Sequence, residues 1–238
     1  MRGLLIAPLA ATLVACLAAP DGSGDGGGGE DAAPADAAPG GLDATVCVPR
    51  EQFPSFEDPF DTDALSWTEG IFVEPDGTPM VLAVTGGQAA VMLVDMAGHM
   101  LWLKTRAVDL RGVRVTVEMR ELPNPEVSGA RAWFAILPRD EPSSAITIMY
   151  LEDRLETPNG EIDHDPVMDL WWQMRIGASE IVLETAPDGV SWKTLDSVAL
   201  PEGIDMANVE VGTKTDTELP GAGRLVIDNL NLPPNRCP

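Results

Sequence analysis

Aromatic side chains are scarce in this chain: five Phe, six Trp and one Tyr among 238 residues. Bases are scarce too, with 15 Lys and Arg against 38 Asp and Glu, a formal charge of −23. A surface for nucleic acid needs clustered Lys and Arg to displace the counterions of phosphate. That deficit argues against nucleic acid as a partner, and against docking of the domain surface on anionic lipid headgroups. An acidic excess of this kind mainly keeps a protein soluble and apart from its neighbours. Histidine occurs only at His99 and His164, with no G-x-S-x-G elbow beside either, which argues against a Ser/His enzyme. Helical periodicity is missing as well. Nowhere do apolar residues recur at i, i+3, i+4 and i+7 over three turns.

The first residues form a targeting segment. Arg2 is the one base of a short leading region, and the apolar run Leu4–Ala15 is too short to span a bilayer. It ends in Leu13-Val14-Ala15-Cys16, which resembles a bacterial lipobox. The resemblance implies a lipoprotein signal peptide at residues 1–15 and a diacylglycerol on the Cys16 thiol. An ordinary secretory signal with an incidental cysteine is the alternative. A lipidated Cys16 makes the membrane a partner through the anchor, held almost permanently by several acyl chains. The expected location is a bacterial cell envelope, at the outer membrane or cell surface rather than the inner membrane.

Residues 16–46 are nearly all Ala, Gly, Pro and Asp, with six acids and no base after Cys16. Such a stretch buries too little surface to offset its ordering entropy, so a disordered acidic tether is expected. Two cysteines then remain, Cys47 and Cys237, at the two ends of residues 47–238. An exported protein sits where disulfides persist, so these two are expected to pair and to make the first and last strands neighbours.

Between them the chain reads as strands. Val113, Val115, Val117 and Met119 alternate with Arg114, Thr116, Glu118 and Arg120, which predicts a half-buried strand. Leu170, Trp172, Met174 and Ile176 share one face, and Trp171, Gln173 and Arg175 the other. Gly177-Ala178-Ser179 and Pro187-Asp188-Gly189 turn this region into a meander, Asp-Gly tolerating the positive φ of a tight turn. Further strand-like runs cover 70–74, 79–85, 89–95, 99–105, 130–137, 145–151, 207–212 and 224–230. About a dozen strands without a helix predict an all-β, antiparallel two-sheet sandwich.

Three stretches carry a resemblance, in this order along the chain. They are Phe56-Glu57-Asp58-Pro59-Phe60-Asp61 followed by Trp67, then Met174-Arg175-Ile176 to Ser191-Trp192, then Leu225-Val226-Ile227-Asp228-Asn229-Leu230. Together they resemble the opening, meander and final strand of the concanavalin A-like lectin/glucanase jelly rolls, the LamG-like group. The resemblance implies a jelly roll over residues 47–238 and a glycan, or another envelope ligand, as partner. It also implies calcium as a cofactor. One candidate set is Glu57, Asp61 and Asp228, near the joined ends; the other is Asp163, Asp165 and Asp169, beside His164. One histidine among acids is too little for zinc.

Catalysis has one candidate. Glu161-Ile162-Asp163-His164-Asp165 resembles the E-I-D-x-E strand of retaining β-glucanases, with Glu161 as nucleophile and Asp165 as acid/base. Retention needs carboxyls about 5–5.5 Å apart, whereas i and i+4 along a strand are roughly 13 Å apart. Thr157-Pro158-Asn159-Gly160 before the segment and Pro166 after it read as a solvated acidic turn. For ligand binding, Trp171 with Gln173, Arg175 and Trp133 offers a stacking platform with polar handles. Trp171 under a loop is the alternative. The expected function is thus non-catalytic binding, against a glucanase-type hydrolase or a purely structural envelope protein.

Overall fold

Side chains that alternate along each strand divide cleanly between a shared interior and two outer faces. A computed structural model describes residues 47–54, 68–72, 81–85, 88–92, 100–139, 142–215 and 221–237. All of them belong to one unit, Asp43–Pro238. The strands are β1 (Thr68–Phe72), β2 (Val81–Thr85), β3 (Gln88–Met92), β4 (Met100–Lys104) and β5 (Arg114–Glu121). They continue with β6 (Ala130–Pro138), β7 (Ile146–Leu151), β8 (Arg154–Thr157), β9 (Gly160–Asp163) and β10 (Trp171–Ile176). The last four are β11 (Glu180–Ala186), β12 (Lys193–Ala199), β13 (Ala207–Thr215) and β14 (Arg224–Asp228). Among the described residues the only helical pieces are three 3₁₀ turns of three residues each.

The front sheet runs β1-β4-β13-β6-β7-β8-β9 and the back sheet β12-β11-β10-β5-β14-β3-β2. Every ladder in both is antiparallel. This is the all-β, antiparallel two-sheet sandwich that the alternation predicts, in the jelly-roll form that the resemblance implies.

Ala132, Phe134 and Ile136 of β6, Ile148 and Tyr150 of β7, and Val209 and Val211 of β13 face inward. Val115 and Val117 of β5 and Trp172, Met174 and Ile176 of β10 meet them from the back sheet. Trp172 is wholly buried and keeps its polar end satisfied, donating Nε1–H to the Asp169 carbonyl at 2.9 Å.

Three expectations change. The strand at β5 is not half-buried: Thr116 is fully covered, and Glu118 is 3% exposed while it accepts from Asn229 Nδ2 at 2.7 Å. The segment at Glu161 is not a free turn. It is β9, paired with β8 at the edge of the front sheet (Glu156 opposite Glu161), with the turn at Pro158-Asn159. Asn159 fastens that turn to β12 by donating to Asp196 from its backbone and its side chain, both at 3.0 Å. Third, the disulfide does form, but it does not join the first and last strands. Cys47 and Cys237 lie 5.0 Å apart at Cα. The segments carrying the two cysteines meet in their own short parallel bridge, Val48 with Arg236. Strands β1 and β14 lie in different sheets.

Candidate functional site

The outer face of the front sheet carries a concavity of about 280 Å³ over β6, β7 and β13. Its floor follows from register. Gly212 of β13 stands opposite Trp133 of β6, which stands opposite Met149 of β7. In the next row Glu210, Ala135 and Thr147 align, and in the row beyond the opposite side Lys214 aligns with Arg131. On the far side of Gly212 the register position belongs to Trp102 of β4.

Gly212 lets the Trp133 indole lie down on the sheet. A Cβ at that position would stand 2.2 Å from Cζ2 of the ring, so any side chain there evicts it. Lying flat, Trp133 is 8% exposed and donates Nε1–H to Glu210 Oε1 at 2.7 Å. Burial pushes the Glu210 carboxyl above the usual carboxylate range, and the Trp133 bond and the Lys104 charge oppose that rise. Lys214 is shifted downward, by burial first and then by the Arg131 charge. The result is an apolar floor with one oriented carboxylate and cations at its rim, the usual make-up of a small-ligand site.

Of the four residues expected to form a ligand platform, only Trp133 lies here. Trp171, Gln173 and Arg175 occupy the outer face of the back sheet, so the four cannot touch one ligand. Trp171 is 4% exposed, because Gly189 and Pro234 close over it: a Cβ on Gly189 would lie 3.0 Å from Trp171 Cδ2 and 2.7 Å from Pro234 Cδ. The loop-covered alternative is therefore the correct one for Trp171. Gln173 is 1% exposed and donates Nε2–H to Glu184 Oε2 at 2.6 Å. Neither can stack on or bond to a sugar. Arg175 remains half-exposed.

In the acidic stretch Glu161 and Asp165 are each engaged with other partners. Glu161 is exposed and accepts from Arg154 at 3.0 Å. Asp165 is exposed and turns inward on its own loop, accepting from the backbone of Val167 at 2.9 Å and of Met168 at 3.2 Å. Those two bonds hold its carboxyl below the usual range. Asp169 is buried, and its two oxygens accept from Thr185 Oγ1 at 2.6 Å and from the Asp165 backbone at 2.9 Å. With those oxygens engaged and Asp163 exposed on β9, the calcium set Asp163, Asp165 and Asp169 does not converge. Among the described residues no three His, Cys, Asp or Glu are grouped to hold a metal ion. Of the other calcium set, Glu57 and Asp61 lie outside the described residues, as does Cys16. Asp228 accepts from its neighbour Asn229 at 2.7 Å and from Arg120 at 3.4 Å.

Glu210, Gly212, Lys214 and Arg131 were not singled out from the sequence. Alternation along Asn208-Val209-Glu210-Val211-Gly212-Thr213-Lys214 does put the polar residues on one face. What it cannot supply is that this face lies beside Trp133, a pairing of two positions, Gly212 and Trp133, that stand 79 apart in the chain.

No protein-family model matches the sequence, and no curated protein matches it. Solved structures do. The chain is similar to a glycoside hydrolase family 16 endo-glucanase from Bacteroides ovatus at 9% identity and a TM-score of 0.44, over 74% of this chain and 97% of that one. A glycoside hydrolase family protein from Mycobacterium thermorestibile is similar at 14% identity and a TM-score of 0.45, over 74% and 98%. A family 11 carbohydrate-binding module from Clostridium thermocellum is similar at 10% identity and a TM-score of 0.33, over 73% and 91%.

Proposed function

We propose that this chain is a lipid-anchored, non-catalytic glycan-binding protein of a bacterial envelope, and that the ligand sits on the front sheet against Trp133. The observation that carries the reading is the composition of that concavity. It offers an aromatic floor, apolar neighbours and a few polar groups at its rim. Among the described residues lining it, Glu210 is the one carboxylate. Glycoside hydrolysis by the usual routes needs two carboxyls, about 5–5.5 Å apart for retention or 6.5–9.5 Å for inversion. Thr147 and Met149 occupy the facing positions of β7 instead. A site built this way holds a sugar without the means to cleave it.

The anchor belongs to the same reading: Cys16 carries the lipid, and residues 16–46 lift the domain off the membrane. A glycan array probed with the purified chain and with Trp133→Ala tests the binding site. Binding that disappears in a folded Trp133→Ala variant is expected. A blank array, or binding indifferent to Trp133, overturns the reading in favour of a structural envelope protein. Turnover of any chromogenic glycoside overturns its non-catalytic part. Incorporation of labelled fatty acid that is lost in Cys16→Ser is the expected result for the anchor, and no incorporation removes it.

A further inference from the structure

The back sheet carries a second, larger concavity of about 630 Å³, on the face opposite the proposed glycan surface. Three of the chain's few bases line it: Arg111, Arg114 and Arg175. Among the described residues lining it there is no carboxylate, in a chain with 38 acids. Apolar side chains of Val113, Ile176 and Leu200 complete its walls.

The three guanidiniums are not equivalent. Arg111, on the turn before β5, forks onto Asp109, with Nε to Oδ1 at 2.9 Å. Arg175 of β10 is held by Glu184, which lies 3.3 Å from its Nη2 and is itself fixed by Gln173 at 2.6 Å. That chain of bonds sets the direction of Arg175 while leaving its side chain 43% exposed. Arg114 is the direct register partner of Arg175 across the β5–β10 ladder. Among the described residues the Arg114 side chain makes no hydrogen bond or ion pair, its backbone alone being held in the ladder. Like charges placed directly opposite in a sheet repel, their Cβ atoms being about 5 Å apart. Burial and the Arg175 charge both lower the Arg114 pKa, with Glu184 opposing them. A half-buried guanidinium in this position gains from an incoming anion what the fold does not give it. Two adjacent forks suit the paired oxygens of a carboxylate or a sulfate, each worth more than a neutral hydrogen bond.

We infer that the pocket between Arg114 and Arg175 binds a small organic oxyanion, a carboxylate- or sulfate-bearing molecule of about the size of a sugar acid. Size separates this from a bare inorganic ion. A volume of about 630 Å³ lies within the range of organic-ligand pockets, and the aliphatic wall gives the rest of such a molecule a surface to cover. This site stands apart from the Trp133 surface and does not depend on the glycan reading.

Isothermal titration of the whole chain with sodium glucuronate, glucose and sodium sulfate, at low and at moderate salt, tests it. Glucuronate is expected to bind, to weaken as salt rises, and to be displaced by excess sulfate; glucose, which lacks the oxyanion, is expected not to compete for the Arg114 site. Arg114→Gln should lower glucuronate affinity at least tenfold without lowering Tm, since it relieves a repulsion. Arg114→Lys, which keeps the charge and loses the fork, should fall between. Arg154→Gln removes a positive charge from the front-sheet edge and should change nothing. Three outcomes overturn the inference: no glucuronate binding, equal loss in Arg114→Gln and Arg154→Gln, or sulfate binding as tightly as glucuronate.

Discussion

The Trp133 indole occupies the space that a side chain on Gly212 would need, with Cζ2 standing 2.2 Å from the position of a Cβ. The two are register partners at the centre of the front sheet, where the backbone has no freedom to move aside. Gly212→Ala must therefore lift the ring and break its bond to Glu210. Overpacking of this kind costs about 1–3 kcal/mol. A lower midpoint in urea is expected, together with loss of any ligand that depends on Trp133. A variant with unchanged stability and unchanged binding would show that the ring does not rest on the glycine.

The disulfide closes almost the whole domain, its cysteines standing 190 positions apart in sequence. In the chain-entropy model a loop of this length stabilises by about 5 kcal/mol, through the denatured chain rather than through any native contact. Replacing both Cys47 and Cys237 by Ser should lower the urea midpoint by a comparable free energy. The Val48–Arg236 bridge should be the first structure lost, which amide exchange at Val48 and Cys237 would report. The same shift should follow from adding reductant to the native chain, and should be absent when reductant is added to the double variant.

Glu210 gives a pH signature of definite sign. Burial raises its folded pKa above the unfolded value, so folding favours its protonated form. The penalty for keeping it ionised is fully present above the folded pKa. It disappears as pH falls through that value towards the ordinary glutamate value of 4.5. Glu210→Gln keeps an oxygen for the Trp133 N–H and cannot ionise. It is expected to be more stable than the native chain at neutral pH, with the difference shrinking as the solution is acidified below the folded pKa. Paired denaturation curves from pH 7 to pH 4 would measure it. A gap that widens on acidification would reverse the assignment.

The architecture was legible because strand alternation is a local signal. Leu170 to Ile176 reported their inner and outer faces from alternation alone, and Asp188-Gly189 reported its turn. The pairing Cys47–Cys237 followed from counting thiols. Long-range relations were not legible. Trp171 alternates outward as expected, yet Pro234 and Gly189 return to cover it. Glu118 and Thr116 look solvent-facing in the sequence and are buried by residues more than a hundred positions away. The short strands β8 and β9 were hidden by Pro158-Asn159-Gly160, which announces a turn but not the two strands it joins. Arg175 read as a polar handle beside Trp171 and Arg114 as an ordinary outward base, and only the β5–β10 register sets them side by side.

The turn over Trp171 offers a last, separable pair of outcomes. Asp188 accepts from the backbone of Val190 at 2.8 Å and of Ser191 at 2.7 Å, and from the Ser191 hydroxyl at 2.8 Å. The Ser191 backbone bond leads in holding its carboxyl below the usual range. Its contribution is therefore present above its unfolded pKa and lost as pH falls through the folded one. Asp188→Asn should cost roughly 1 kcal/mol at neutral pH, and the loss should vanish in acid. Gly189 fails differently. Its φ of +69° disfavours any side chain, and a Cβ there would meet Pro234 at 2.7 Å and Trp171 at 3.0 Å. Gly189→Ala should cost more than Asp188→Asn, with no dependence on pH, and should raise exposure of Trp171. Quenching of indole fluorescence by acrylamide would follow that exposure. An increase in Asp188→Asn equal to that in Gly189→Ala would mean that hydrogen bonding, rather than the missing side chain, seats the turn on the ring.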